Sequence, residues 1–209
     1  MRPIRQHTGR SIPLRRGDVD TDQIIPSDFC RGLSRTGYQN ALFAGWRKDP
    51  DFVFNQSDRS DATVLVAGPN FGTGSSREHA VWALRDWGIA AVIAPSLGDI
   101  FTRNALRNGI LAVTLGKPVV ETLLDSSESD PGFEITVDIL RREVRAADLR
   151  SSFEVDSRAR HLLIEGLDDI DETMRRESSI RRYEESRKYW LPSLGSDRPS
   201  IREPVGGLT

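Results

Sequence analysis

An α/β fold with parallel strands is predicted by three short apolar runs and the helical patterns between them. The runs cover residues 63–68, 89–95 and 110–115, and their apolar, β-branched content is typical of buried strands. Helical patterns over residues 81–87 and 99–108 separate the runs. Strands that alternate with helices in this way indicate a parallel sheet with helices packed on it.

The flanking segments are expected to extend this layer and to add a second, more polar part. Alternation over residues 133–139 indicates a strand with one buried and one solvated face, and 143–147 is its expected hairpin partner. The other expected elements are a strand over 11–14, a short strand or turn over 19–26, helices over 38–47, 118–124, 156–166, 168–175 and 180–190, and a loop over 125–132. We predict one domain over residues 1–190 and a mobile tail over 191–209 that is rich in proline, glycine and serine.

Composition and charge argue against several classes of function. The chain has 209 residues, of which 37% are hydrophobic, and its net charge of −2 favours neither nucleic acid nor anionic membrane as a partner. No apolar run approaches the ~18 residues of a membrane helix, and the basic N-terminus lacks the apolar core of a signal peptide. A cytoplasmic localisation is therefore expected. Cys30 is the single cysteine and the three histidines match no zinc spacing, so no metal site is expected on this chain.

The segment 70–84, NFGTGSSREHAVWAL, carries the clearest functional signal. Arg77 stands where a helical pattern begins, although the start of a helix has a partial positive charge that repels a cation. Gly72 and Gly74 allow the backbone to approach a ligand closely, and the first N–H groups of the helix point at that ligand. Arg77 would then add a two-point clamp for a carboxylate. Because the segment follows a predicted buried strand, it predicts an anion site at the edge of the sheet.

A purely structural interpretation competes for some of the same residues. Ser75 and Glu78 have the spacing of a capping box with Ser75 as the N-cap, although this leaves Arg77 unexplained. Other familiar motifs do not fit, because a Walker lysine, the third glycine of a dinucleotide loop and a G-x-S-x-G elbow are all missing. On spacing alone, the anion site and the capping box both remain open.

Four further residues have several possible roles. His79 is expected to be a packed residue rather than a catalyst. Asp20 and Asp22 are turn formers, a cation site, or groups that orient a catalytic residue. Cys30 is expected to be a small, partly buried apolar residue rather than a reactive thiol. For the two aspartates, the local sequence does not choose among these interpretations.

Three segments together resemble one family. The segment NFGTGSSREHAVWAL is similar to the hallmark of the aconitase superfamily, VDTDQIIP at residues 19–26 to an early active-site segment, and LLIEGLDDI at 162–170 to a C-terminal signature. In a chain this short, the combination resembles the small subunits of 3-isopropylmalate dehydratase, over roughly residues 8–190. The resemblance implies the swivelling β/β/α domain that forms the fourth domain of aconitase, here as a separate α/β chain with C-terminal helices.

The resemblance also implies a reaction and roles for individual residues. The implied reaction removes water from 2-isopropylmalate and adds it back to give 3-isopropylmalate, a step of leucine biosynthesis. It needs a partner large subunit that carries a 4Fe–4S cluster, and no cofactor on this chain. Ser75 corresponds to the catalytic base. The implied substrate-binding residues are Arg77, Ser76, Gly74, Thr21 and Asp22, and the implied specificity loop contains Phe29, Cys30 and Arg31.

Two other functions remain open on the sequence. One is a paralogous subunit that acts on another 2-substituted malate, such as citramalate, homocitrate or a specialised metabolite. The other is a non-catalytic module that senses a carboxylate. Sensing would need Arg77 but not a base, so the presence of both Ser75 and Arg77 argues against such a module.

Overall fold

The computed structural model describes residues 2–32, 34–74, 77–188 and 190–191, and the chain forms two compact units, residues 1–170 and 171–209. The strands, all in the first unit, are Gln6–Leu14 (β1), Val64–Ala67 (β2), Ala91–Ala94 (β3), Leu111–Thr114 (β4), Glu134–Asp138 (β5), Glu143–Ala146 (β6) and Leu149–Ser152 (β7). They form one sheet in the order β4-β3-β2-β1-β5-β6-β7. The predicted α/β fold is confirmed.

The helices alternate with the parallel strands and then follow the antiparallel ones. The α-helices are Thr21–Ile24 (α1), Glu78–Trp87 (α2), Asp99–Arg107 (α3), Lys117–Ser129 (α4), Ser157–Glu165 (α5), Asp169–Met174 (α6) and Glu177–Glu185 (α7). Short 3-10 helices lie at Ser27–Arg31, Trp46–Lys48, Val53–Asn55 and Ser57–Arg59. Within the described ranges, no helix is both long and apolar enough to cross a membrane.

The first strand joins the two halves of the sheet. Residues 11–14 of β1 pair in parallel with β2, while residues 6–10 pair antiparallel with β5. The sheet continues in parallel through β3 and β4 on one side, and antiparallel through β6 and β7 on the other. All residues of β2 and β3 are buried, as expected for parallel strands covered on both faces. The carboxyl ends of β1 to β4 therefore meet at one edge, where α/β sheets bind ligands.

The helix predicted over residues 38–47 is wrong. The chain forms turns there and a 3-10 helix at Trp46–Lys48. Phe43 has a φ of 48°, which an α-helix cannot accommodate, and its N–H donates to the Ile24 carbonyl at 2.7 Å. The Phe43 ring is fully buried and packs 4.8 Å from Phe54 and 5.3 Å from Trp46, centroid to centroid. Aromatic packing has overridden the local helical pattern.

The loop predicted over residues 125–132 is also wrong at its start, because α4 continues to Ser129. One face of the helix presents three carboxylates to Arg15, with N···O distances of 2.5 to 2.9 Å to Glu121, Asp125 and Glu128. Hydrogen bonds to Glu128 and Asp125 raise the pKa of the Arg15 guanidinium. Tertiary contacts thus hold a serine- and acid-rich turn in the helix.

Other boundaries differ more modestly. Residues 19–26 contain the single-turn helix α1 instead of a strand, and β7 was not predicted. The helix expected over 180–190 runs from Glu177 to Glu185, where Arg181 pairs with Glu177 at 2.9 Å, an i,i+4 contact that supports the earlier start. Beyond Leu191, the predicted mobile tail lies outside the described residues. The domain bounds 1–190 and 191–209 stay a prediction.

Candidate active site

The loops that follow β1, β2 and β3 run side by side beyond the carboxyl edge of the sheet. Two isolated parallel bridges join them, between Asp20 and Thr73 and between Phe71 and Leu97. The Gly98 N–H donates to the Phe71 carbonyl at 2.9 Å, which extends the second bridge. The strand order of the sheet is therefore kept in the loops, and the predicted anion segment lies between the other two.

Close packing fixes the path of the middle loop. Gly72 has a φ of 76°, and a Cβ on it would lie 2.3 Å from the Phe101 ring. A Cβ on Gly98 would lie 2.5 Å from the Gly72 carbonyl oxygen. Because no side chain fits at either position, the two backbones approach as closely as the chain allows. Gly72, one of the two glycines predicted to let the backbone approach a ligand, thus packs the middle loop against α3 and against the loop that follows β3.

An asparagine that the sequence analysis did not single out ties the three loops together. Asn70 has a φ of 58°, a region that asparagine tolerates better than most residues. Its amide donates to Asp18 Oδ1 at 2.7 Å in the first loop, and its Oδ1 accepts from Ser96 Oγ at 2.9 Å in the third. An asparagine directly before a glycine-rich run was the available signal for such a turn.

Two of the predicted binding residues meet at the first bridge. Thr21 is 1% exposed, and its N–H donates to the Thr73 carbonyl at 3.1 Å. A Cβ on Gly74, where φ is 87°, would lie 3.3 Å from Asp20 Cβ and 3.9 Å from Thr21 Oγ1. The Thr21 side chain and the Gly74 backbone therefore face each other across the loops.

The two neighbouring acids have different roles. Asp20 is the N-cap of α1, since its Oδ1 accepts from the Gln23 N–H at 2.7 Å while its own N–H donates to Gln23 Oε1 at 3.0 Å. Asp22 lies in the first turn of the same helix and pairs with Arg77, with Oδ1 3.0 Å from Nη1. Asp20 is thus a capping residue, and Asp22 is an ion-pair partner of Arg77. That Asp22 orients a catalytic group stays a prediction.

Arg77 is the N-cap residue of α2, with extended backbone angles and no side-chain hydrogen bond to the helix. Helix α2 starts at Glu78, so Glu78 is the first helical residue and not the third. The alternative capping box of Ser75 and Glu78 is therefore wrong. The Glu78 carboxylate instead accepts from Asn108 Nδ2 at 2.8 Å. The Arg77 side chain is about one-third exposed.

Ser75 and Ser76 lie outside the described residues. Both flanking residues are described: Gly74 faces Thr21, and Arg77 begins α2. The roles of Ser75 and Ser76 stay predictions.

The predicted specificity residues lie directly after α1, in the 3-10 helix Ser27–Arg31. Phe29 is 45% exposed, and Arg31 pairs with Asp28 at 3.1 Å on the surface. Cys30 is half-buried, with its sulfur 3.9 Å from the Pro26 carbonyl oxygen, in agreement with a small apolar residue. We call residues 27–37 the pocket loop; Leu33 within it lies outside the described residues.

His79 packs in the first turn of α2. Its ring lies 5.3 Å from Tyr38 in an edge-to-face arrangement and 4.7 Å from Trp82, centroid to centroid. Its Nε2 is buried and has no hydrogen-bond partner among the residues that the structure describes. The geometry agrees with the packed role expected for this residue.

In the described ranges, no group of three or more His, Cys, Asp or Glu side chains is arranged to hold a metal ion. Cys30 is also the single cysteine of the whole sequence, whereas a 4Fe–4S cluster is held by about four thiolates. The side chains of this chain therefore do not fit such a cluster by themselves.

Comparison with known proteins agrees with this geometry. The aconitase C-terminal domain family matches residues 1–118. The chain is 54% identical to the 3-isopropylmalate dehydratase small subunit of Thermobifida fusca, over 89% of this chain and 95% of the relative. It is 55% identical to that of Frankia alni, over 90% and 96% of the two chains. The crystal structure of a 3-isopropylmalate dehydratase from Methanocaldococcus jannaschii superposes with a TM-score of 0.63 at 27% identity, over 85% of this chain and 98% of that one.

The fold and the loop cluster define an aconitase-type C-terminal domain, a class of hydro-lyase domain. At this identity and coverage, the chain belongs to the family of 3-isopropylmalate dehydratase small subunits.

Proposed function

We propose that this chain is the half of a 3-isopropylmalate dehydratase that supplies the base and the substrate-carboxylate arginine for converting 2-isopropylmalate to 3-isopropylmalate. The observation that carries the proposal is Arg77 at the N-cap of α2, paired with Asp22 and three residues beyond Gly74. A cation at a helix start is electrostatically unfavourable unless an anion is present. A malate-type substrate brings such anions.

The Arg77 guanidinium and the start of α2 would both stabilise the negative charge of the bound substrate carboxylate. The guanidinium offers two parallel N–H donors to a carboxylate, and Asp22 holds it from one side at Nη1. Asp22 already shows how a carboxylate docks on this arginine. The substrate carboxylate would bind the open part of the guanidinium, near the Thr21 side chain and the Gly74 backbone.

Ser75 is proposed as the base that removes a proton from the carbon next to the one bearing the hydroxyl, and as the group that returns a proton on rehydration. A serine is a weak base unless its alkoxide is stabilised. Arg77 and the first N–H groups of α2 provide fixed positive charge next to that position. A positioned base contributes roughly 10²–10⁴-fold in rate.

The hydroxyl must leave as water, and this step needs a Lewis acid, which the side chains of this subunit do not supply. A 4Fe–4S cluster, when bound on the partner large subunit, supplies a Lewis acid for that hydroxyl. We place the cluster on the partner because the side chains here do not fit it. The proposal also includes a cytoplasmic localisation, in keeping with the biosynthesis of leucine, and neither nucleic acid nor a membrane as partner.

The proposal is tested by reconstitution. The purified chain alone should be colourless, free of iron and inactive. Added to a cluster-bearing large subunit from the same source, it should form a complex that interconverts the two isopropylmalates. Stoichiometric iron–sulfur cluster in the isolated chain, or a well-formed complex without isomerase activity, would contradict it. Faster turnover of citramalate or homocitrate would instead indicate a paralogous specificity.

A further inference from the structure

Helix α2 carries a second charge placed against its dipole, at the opposite end from Arg77. Asp86 lies in the last turn, next to the final residue Trp87, where the partial negative charge of the helix disfavours an acid. Its side chain is only 10% exposed, so the charge is also largely removed from water. An acid in such a place needs strong partners.

The partners of Asp86 are the end of the pocket loop and the neighbouring arginine. One carboxylate oxygen accepts from the Gly37 N–H at 2.7 Å and from the Tyr38 N–H at 3.0 Å. The other accepts from Arg85, 3.1 Å from Nη2. Arg85 in turn donates to the Arg35 carbonyl, again in the pocket loop. Two adjacent residues of α2 thus bind two backbone groups of this loop and the N–H of Tyr38, which directly follows it.

Tyr38 closes the loop from inside. Its hydroxyl donates to the Ser34 carbonyl at 2.8 Å, and its ring packs edge to face on His79, in the first turn of α2. A Cβ on Gly32 would lie 3.1 Å from the Tyr38 hydroxyl, so the loop is folded tightly over this side chain. The loop is anchored to α2 at both the start and the end of the helix.

The same network reaches back to the helix start that carries Arg77. Asn108, after the end of α3, accepts from Arg85 Nη1 at 3.3 Å and from Trp82 Nε1 at 3.1 Å. Its amide donates to Glu78 at 2.8 Å, and Glu78 directly follows Arg77. A connected set of polar contacts therefore joins the pocket loop to the element that holds the substrate carboxylate.

We propose that Asp86 is a positioning residue that sets which substrate side group the enzyme accepts, by fixing the pocket loop relative to Arg77. This rests on the proposed function, together with the predicted role of Phe29, Cys30 and Arg31 as the loop that contacts the substrate side group. Arg77 binds a carboxylate that all 2-substituted malates share, so it cannot distinguish them. The distance between the pocket loop and Arg77 can distinguish these substrates, and the Asp86 contacts set that distance. Loosening them should weaken the grip on a bulky side group more than on a small one.

The test compares two substrates in the reconstituted enzyme. Asp86→Asn keeps the shape of the side chain but removes its charge. It also places an NH₂ group, which cannot accept a hydrogen bond, where a carboxylate oxygen accepts one. We expect KM for 2-isopropylmalate to rise, kcat to change much less, and the preference for 2-isopropylmalate over citramalate in kcat/KM to fall about tenfold, the scale of a few methyl contacts. Tyr38→Phe, which removes the hydroxyl that donates to the Ser34 and Gly32 carbonyls of the pocket loop, should shift the preference in the same direction.

Asp138→Asn is the matched control. Asp138 is also nearly buried, with a side chain 7% exposed, and also accepts a backbone N–H, from Arg141 at 2.8 Å. It lies on β5, in the antiparallel half of the sheet, so its loss should lower stability without changing the substrate preference.

Failure of the positioning role of Asp86 can be distinguished from failure of the proposed function. An active wild-type enzyme whose preference is unchanged in Asp86→Asn and Tyr38→Phe, or changed equally in Asp138→Asn, overturns the positioning role alone. A wild-type complex that converts neither substrate overturns the proposed function and this inference with it.

Discussion

Arg77 Nη1 lies 3.0 Å from Oδ1 of Asp22, so the arginine at the start of α2 already binds one carboxylate within its own chain. The two residues lie in segments that follow adjacent parallel strands, Asp22 in α1 after β1 and Arg77 at the start of α2 after β2. The pair partly neutralises a cation at an unfavourable position, while about one-third of the Arg77 side chain remains exposed. This geometry is the basis for two of the predictions below.

The stability of the free chain should be nearly insensitive to Arg77→Gln. Loss of an exposed pair costs about 0.2–1 kcal/mol in the free energy of unfolding, and relief of repulsion at the helix start returns about 0.3–1 kcal/mol. Asp22→Asn removes the pair but keeps the repulsion, so it should be the more destabilising change. The double variant should behave like Arg77→Gln alone. Urea titrations of the isolated chain measure all three.

Arg10→Gln is the control for that cycle, since Arg10 pairs with Asp61 at 3.0 Å, also on the surface but away from a helix start. It should show a small loss with no compensating gain. If Arg77→Gln unfolds the chain, Arg77 is structural and the anion-site interpretation is wrong.

Activity should depend on the shape of the Arg77 side chain as well as on its charge. Arg77→Lys keeps the charge but loses the planar, two-point fork, so we expect normal assembly and a large loss of kcat/KM. Truncating one partner of a buried charged hydrogen bond typically costs ~2–5 kcal/mol, and lysine should recover only part of that. Steady-state kinetics on the reconstituted complex check this. Near-normal kcat/KM would rule out the carboxylate clamp.

The glycine loop should tolerate no side chain at position 72. Gly72→Ala combines left-handed backbone strain of roughly 1–2 kcal/mol with overpacking of about 1–3 kcal/mol against Phe101. Gly88→Ala is the control, because Gly88 also has a positive φ, of 112°, but has open space around it. Thermal melts should show a clearly larger loss for Gly72→Ala. Equal losses would mean that close packing does not define this loop.

Sequence patterns predicted the parallel half of the sheet because fully buried strands leave unmistakable apolar runs. They also placed Arg77 at a helix start, and the structure confirms that position, because a charge that opposes a helix dipole can be recognised from neighbouring residues alone. Its role in binding substrate stays a prediction. The helix over 38–47 failed for the opposite reason. Its residues are helix-compatible locally, and only the packing of Phe43 with Trp46 and Phe54 excludes the helix.

Contacts between distant residues explain the rest of what was missed. The extension of α4 depends on Arg15, 113 residues before Glu128, and the anchoring of the pocket loop depends on Asp86, 49 residues after Gly37. Asp86 did leave a local signal, an acid in the last turn of a helix, of the same kind that identified Arg77. The sequence therefore indicates the charges that oppose the helix dipole at both ends of α2, but it does not indicate the residues that pair with them.

The central claim is that this chain completes the catalytic centre with Ser75, and Ser75→Ala in the reconstituted complex tests it most directly. The helix starts at Glu78, so Ser75 is not needed as an N-cap, and the variant should fold and assemble like the wild type. Substrate affinity should be nearly unchanged because Arg77 is intact. Turnover should fall by roughly 10²-fold or more, the loss expected for a missing base. Near-normal turnover in a fully assembled Ser75→Ala complex would contradict the account.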